Sequence, residues 1–243
     1  MRTKTLILSG VVAALTSASV MAQVYSLNAV GYINVSIPNG FSIIADQLYA
    51  NGQGVAQFLS GMPTNINNTP GLLDTQLLDG AHNGVTFFKL SGSGYAIVTA
   101  TASGWASAGA TPATQISLNP GEGIYVYNPF STNITLTFVG TVGQGATLTN
   151  TMSAGFNMVS SIVPQTGAVD SVLGLTPVKG DTAFFLSATG FAIYSWSGTG
   201  WVTAGSATPG TVPTPAVGQG FFYYANIATG ATEVWTRSFT ITN

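Results

Sequence analysis

Charge is what this chain has least of. Only 5% of its 243 residues are Asp, Glu, Lys or Arg, where a typical soluble domain has about 25%. Thr, Ser, Asn, Gln and Gly must therefore solvate most of the surface. Copies of such a surface repel one another weakly, which favours self-association or adhesion to neutral material such as polysaccharide. Cysteine is absent altogether, so there is no disulfide, no thiol nucleophile and no lipid-bearing N-terminal Cys. Histidine occurs once, as His82, which leaves too few donors for a zinc site. Ser-His-Asp chemistry would have to recruit that one side chain, and no Gly-x-Ser-x-Gly elbow precedes a helix. Beyond the N-terminal segment no apolar run reaches the ~18 residues of a membrane span.

The N-terminus itself is informative. Arg2 and Lys4 precede an apolar run from Leu6 to Leu15, followed by small and polar residues ending in Val20-Met21-Ala22. This is the pattern of a secretory signal, and it predicts cleavage after Ala22, an exported protein and no membrane span in the mature chain. The mature chain then holds three cations, Lys89, Lys179 and Arg237, against Asp46, Asp74, Asp79, Glu122, Asp170, Asp181 and Glu233. Three cations cannot neutralise a useful number of phosphates, so nucleic acid is excluded as a partner.

The remainder says nearly the same thing twice. Gly94-Tyr95-Ala96-Ile97, Gly104-Trp105 and Ala108-Gly109 return at one constant offset as Gly190-Phe191-Ala192-Ile193, Gly200-Trp201 and Ala204-Gly205. Gly40-Phe41 answers to Gly155-Phe156, Phe87-Phe88 to Phe184-Phe185, and Gly121-Glu122-Gly123-Ile124-Tyr125 to Gly218-Gln219-Gly220-Phe221-Phe222. A period of about a hundred residues is too long for solenoid or propeller units and suits two small domains or two halves of one body. The boundaries read as a signal over 1–22, a first repeat over 23–141 and a second over 142–243.

Short apolar or alternating runs between turn residues predict strands at 32–37, 41–45, 85–90, 95–99, 123–127 and 134–139, then at 156–160, 183–186, 191–196, 220–224 and 232–239. Ser91-Gly92-Ser93-Gly94 and Ser197-Gly198-Thr199-Gly200 place glycine where hairpins need positive φ. The fold class is therefore all-β, two tandem antiparallel β-sandwich or barrel-like repeats. One short helix is expected in each, from the spacing of Val55, Phe58 and Leu59 and of Val169, Val172 and Leu173. An insert over 60–82 is confined to the first repeat.

Few residues offer chemistry. Asp74 and Asp79, near His82 and Asn83, form the one conceivable cation site, although carboxylates in glycine-rich loops more often build turns. Paired carboxylates would be needed for glycoside hydrolysis. Glu122 is the best candidate, yet its counterpart is Gln219, which keeps the shape and loses the acid; a structural turn accommodates both. No cofactor motif is present. Aromatic rings can stack on a sugar face without any charge. Trp105 and Trp201, Tyr95 and Phe191, and Tyr125 and Phe222 occupy shared positions, which suits packing common to both repeats. Trp196, whose counterpart is Ala100, and Tyr223, whose counterpart is Val126, are the rings the second repeat adds. With Trp201 they are the candidate carbohydrate-binding residues.

Gly155-Phe-Asn-Met-Val-Ser-Ser, Phe184-Phe185, Gly200-Trp201, Gly218-Gln-Gly-Phe-Phe-Tyr and Trp235-Thr-Arg-Ser-Phe resemble a repeat of uncharacterised exported bacterial two-repeat proteins of verrucomicrobial type. The resemblance implies a secreted or surface β module and carries no catalytic residues over. The sequence thus leads to an exported, non-catalytic surface or matrix protein, acting in adhesion or structural assembly through self-association or polysaccharide contact. The alternatives are a carbohydrate-binding module in the second repeat and, well behind it, a glycan hydrolase.

Overall fold

A computed structural model describes residues 30–49, 77–92, 94–109, 118–206 and 208–241. Among them the regular elements are all strands. The first half contains β1 (Val30–Ile37), β2 (Gly40–Ile44), β3 (Thr86–Ser91), β4 (Gly94–Thr101), β5 (Gly104–Gly109), β6 (Ile124–Asn128) and β7 (Ile134–Thr141). The second contains β8 (Gly145–Ser153), β9 (Gly155–Val159), β10 (Thr182–Ser187), β11 (Gly190–Trp196), β12 (Trp201–Thr203), β13 (Phe221–Ala225) and β14 (Thr232–Phe239). Three of these, β5, β8 and β12, carry too few apolar residues for their sequences to announce them.

The two halves have one topology. In the first, β1 pairs with β7 as a ribbon and the other strands form an antiparallel sheet in the order β2-β6-β3-β4-β5; in the second, β8 pairs with β14 and the sheet runs β9-β13-β10-β11-β12. Each half is an open sandwich, with no closed barrel. Alternation along the strands explains the layers, since successive side chains point to opposite faces. Ile33, Val35 and Ile37 of β1 and Leu136 and Phe138 of β7 pack on Phe87, Val98, Ile124 and Val126 of the facing sheet. The second core joins Met152 and Trp235 of the ribbon to Ala183, Phe185, Phe221 and Tyr223 of the sheet.

Hairpin turns repeat one device. The hydroxyls of Thr101, Ser187 and Ser197 donate to the carbonyls of Gly104, Gly190 and Gly200 at 2.6, 2.7 and 2.8 Å, closing each turn from within.

The register revises one sequence match. Thr86 pairs with Thr99 and Phe88 with Ile97, just as Thr182 pairs with Ser195 and Phe184 with Ile193. Phe88 is therefore equivalent to Phe184, and Phe87 to Ala183, one residue away from the alignment suggested by the two Phe-Phe pairs. The helix expectation also changes. Residues 55–59 lie outside the described residues, and 168–174 form a single turn with Val172 N donating to Ala168 O at 3.1 Å and Gly174 N to Asp170 O at 3.1 Å. Gly174, at φ 80°, ends it. Val169 and Leu173 are buried there, while Val172 is 43% exposed. Trp201 Nε1 donates to Asp170 Oδ2 at 3.1 Å and Trp235 Nε1 to Leu173 O at 2.7 Å, so the turn anchors two indoles from the core.

The halves are joined by a reciprocal backbone clamp. Ala45 N donates to Gly218 O at 2.9 Å and Gly220 N to Ile43 O at 3.1 Å; the counterparts are Ser160 N to Gly121 O at 2.8 Å and Gly123 N to Met158 O at 3.0 Å. Ile44 bridges to Gln219 as Val159 bridges to Glu122. The arrangement is a pseudo-two-fold within one chain. It accounts for the repeated Gly-x-Gly signature. Gly121 and Gly218 take φ of 98° and 75°. A Cβ on Gly220 would lie 2.9 Å from Ile44 O and 3.1 Å from Gly123 Cα, so the second glycine is required by close approach across the axis.

Candidate functional site

The outer faces of the two sheets carry the feature that sets this surface apart. In β6, Ile124 and Val126 point to the core and Tyr125 and Tyr127 point out; in β13, Phe221 and Tyr223 point in and Phe222 and Tyr224 out. Phe41 on β2 and Phe156 on β9 stand on the outer face with 54% and 58% of their surface exposed. Each half thus presents five rings at matching positions, three of them identical in type. Phe41, Phe88, Tyr95, Tyr125 and Tyr127 correspond to Phe156, Phe184, Phe191, Phe222 and Tyr224.

The ring contacts repeat as well. Phe41 lies 5.9 Å from Phe88 and 4.9 Å from Tyr127, and Phe156 lies 5.7 Å from Phe184 and 5.1 Å from Tyr224. Phe88–Tyr95 and Phe184–Phe191 are both 6.4 Å edge contacts. The tight approach of Gly123 and Gly220 brings the starts of β6 and β13 together, and Tyr125 meets Phe222 at 5.2 Å across the pseudo-axis. Two five-ring clusters become one continuous aromatic surface.

At the junction this surface dips into an open groove of about 710 Å³, lined by Leu90, Tyr95 and Tyr125 from the first half and Phe156, Phe184, Phe191, Ile193 and Phe222 from the second. Among the described residues no charged side chain lines it. Burial pushes the Tyr95 and Tyr125 phenols up from their ordinary values, and for Tyr125 the neighbouring Tyr95 adds to the effect, so both hydroxyls stay neutral and able to donate. A polar cleft of about 420 Å³ adjoins the groove, sharing Leu90, Gly92, Ala154 and Phe156, and brings in Lys89, Glu122, Asn150 and Asn157.

Glu122 serves a turn. Its Oε2 accepts from Asn119 N at 2.7 Å, Asn119 Nδ2 at 3.2 Å and Lys89 Nζ at 2.6 Å. In the same turn of the second half, Gln219 Oε1 accepts from Ala216 N at 2.9 Å. Acid and amide hold the same bend, and only the first has a lysine beside it.

The rings chosen from sequence are placed elsewhere. Trp201 is 1% exposed and Tyr223 is fully buried, so neither presents a face to a sugar. Trp196, half-buried, packs edge-on against Trp201 at 5.5 Å. Shared positions are not all core: Tyr95, Phe191, Tyr125 and Phe222 are shared and line the groove. The missed signal was the alternation in Ile124-Tyr125-Val126-Tyr127, where aliphatic residues take one face of the strand and tyrosines the other.

Asp74 lies outside the described residues. Asp79 Oδ1 accepts from Ala81 N at 2.9 Å and His82 N at 3.2 Å, with His82 Nδ1 3.0 Å away, and the hydrogen bond to His82 holds its carboxyl below the usual range. That is a turn-forming carboxylate. Among the described residues no three His, Cys, Asp or Glu side chains gather as a metal would need.

Tyr223 has a different role. Its hydroxyl sits 2.7 Å from Asp181 Oδ2 and 3.1 Å from Glu233 Oε1 inside the second core. Asp181 also accepts from Val178 N and, at 2.7 Å, from Asn226 N, whereas Glu233 Oε2 is buried with no partner. Desolvation, then the Asp181 charge, pushes the Glu233 carboxyl up to about 7. Both carboxyls and the phenol are sealed from solvent, which makes the cluster a core network.

No protein-family model, curated protein or solved structure matches this chain.

Proposed function

We propose that this protein is an exported, non-catalytic adhesion protein that holds uncharged glycan against the aromatic surface shared by its two halves. The observation that carries the reading is the exposure of Phe41, Phe156, Phe191 and Tyr224, at 54%, 58%, 42% and 37%, on one continuous face. Exposed ring clusters of this kind mark interaction sites. Rings locked by edge contacts lose little entropy on binding, and their faces match the C–H faces of pyranose sugars. The absence of charge along the groove favours a neutral ligand, and the export signal read at residues 1–22 puts the protein where such polymers are met.

Binding of the purified protein to insoluble neutral polysaccharides, followed by co-sedimentation, tests this. Retention should persist from ~0.05 to ~1 M NaCl, because the contact releases few ions. Phe156→Ala should weaken retention about fivefold to tenfold, the scale of one ring contact, with the melting temperature unchanged. Salt-sensitive retention, or retention indifferent to Phe156→Ala and Phe191→Ala together, would contradict the proposal.

A further inference from the structure

Within that reading, on which it rests, we infer that the ligand is a neutral polysaccharide of one repeating unit that lies across the pseudo-two-fold and engages both halves at once. The rings form an unbroken chain of contacts. Tyr127 contacts Phe41 at 4.9 Å, Phe41 contacts Tyr125 at 5.8 Å, Tyr125 contacts Phe222 at 5.2 Å, Phe222 contacts Phe156 at 6.3 Å, and Phe156 contacts Tyr224 at 5.1 Å. This row crosses from one half to the other without a break, and a hydroxyl-bearing tyrosine stands at each end and near the middle.

Successive rings are turned against each other by 42° to 82°. The duplication selects the polymer. Equivalent rings in each half make two matched half-sites, and a repeating polymer is the ligand that presents the same chemistry to both. The two contacts then act as a bivalent pair fixed in geometry by the backbone clamp.

The charge pattern agrees with a neutral chain. Among the described residues, the groove where the half-sites meet has no ionisable group except the phenols of Tyr95 and Tyr125, and Lys89 in the adjoining cleft is engaged by Glu122 at 2.6 Å. An anionic polymer finds no unengaged cation there.

Calorimetric titration of the full chain with cello- and malto-oligosaccharides from disaccharide to hexasaccharide, with oligogalacturonate as the control, tests the inference. Affinity should rise at least about tenfold from the shortest to the longest chain of a series that binds, with no measurable binding of oligogalacturonate. Tyr127→Ala and Tyr224→Ala, at opposite ends of the row, should each abolish most of the length gain. Binding that is independent of length, or a length gain that survives both substitutions, would overturn the two-half ligand while the glycan reading stands. Failure to bind any oligosaccharide or polysaccharide, together with dimerisation in light scattering that Phe156→Ala abolishes, would overturn both and assign the face to a second copy.

Discussion

The two halves share a topology, and at one place in the core apolar side chains are exchanged for ionisable ones. Val85, Val126 and Ile134 of the first half are buried aliphatic side chains, and their structural equivalents in the second are Asp181, Tyr223 and Glu233, also buried. The register fixes the match: Ala100 N donates to Val85 O as Trp196 N donates to Asp181 O, and Phe87 pairs with Val126 as Ala183 pairs with Tyr223. Volume is conserved by exchange, since Phe87 beside Val126 becomes Ala183 beside Tyr223. Polarity is satisfied by a backbone change. Asn226 supplies an N–H to Asp181 Oδ1 at 2.7 Å, where the first half has Pro129 and no N–H to satisfy. The lesson is that one topology tolerates an apolar or an ionisable core, provided that partners and volumes change together, while the outer aromatic face stays the same in both.

The comparison is broken most severely by moving one member alone. Val85→Asp puts a carboxyl into the first core without the tyrosine or the amide that accompany Asp181, and should cost about 4 kcal/mol, read as a fall in the denaturation midpoint. If it costs less than about 1 kcal/mol, the two cores are not equivalent environments.

A smaller effect sharpens the contrast through pH. Tyr223 has one proton for two carboxyl neighbours, so the remaining contact is best made with Glu233 protonated. Its folded value of about 7 lies above the 4.5 of a free glutamate, so the folded state holds this proton more tightly than the unfolded one. Its contribution to stability is then fully present below pH 4.5, falls as the pH rises to 7, and is lost above; the loss is at most about 3 kcal/mol. Asp46, buried beside the clamp and also pushed up to about 7 by desolvation, contributes in the same direction and window. Urea midpoints measured across this range check the slope, and a stability that rises with pH would refute the sign.

Replacing the polar network of the second core with apolar side chains should isolate the Glu233 share. Asp181→Val, Tyr223→Phe, Asn226→Pro and Glu233→Ile combined should stabilise the protein by about 1 to 3 kcal/mol at pH 7 and remove that part of the pH slope, leaving the part due to Asp46. An unchanged slope would place the titrating group elsewhere. Smallest of all is Glu122→Gln, which copies Gln219. It loses the Lys89 contact and keeps the turn, so a change within about 1 kcal/mol is expected in thermal melts.

Much of this architecture was legible in the sequence because a duplicated chain gives every signal twice. Two glycines per Gly-x-Gly motif, and Trp105 with Trp201, fixed the repeats. The exceptions have physical causes. β8 is Gly-Ala-Thr-Leu-Thr-Asn-Thr-Met-Ser with only Met152 buried, so it lacks an apolar face to read, although its counterpart β1 predicts it. The Phe-Phe pairs slid by one because a doublet looks alike in either register. The outer aromatic face was hidden for another reason: Phe221-Phe222-Tyr223-Tyr224 is uniformly aromatic, and only pairing to β9 and β10 tells which alternate faces outward. Divergence between the repeats marked a rebuilt core, and identity marked the surface.

The central claim is that the shared outer rings, and not the rings unique to the second half, meet the ligand. Aromatic NMR signals followed during titration with cellohexaose test it most directly. Shifts at Phe41, Tyr125, Phe156 and Phe222 with Trp201 and Tyr223 silent are the predicted result; shifts centred on Trp196 and Trp201 would contradict it.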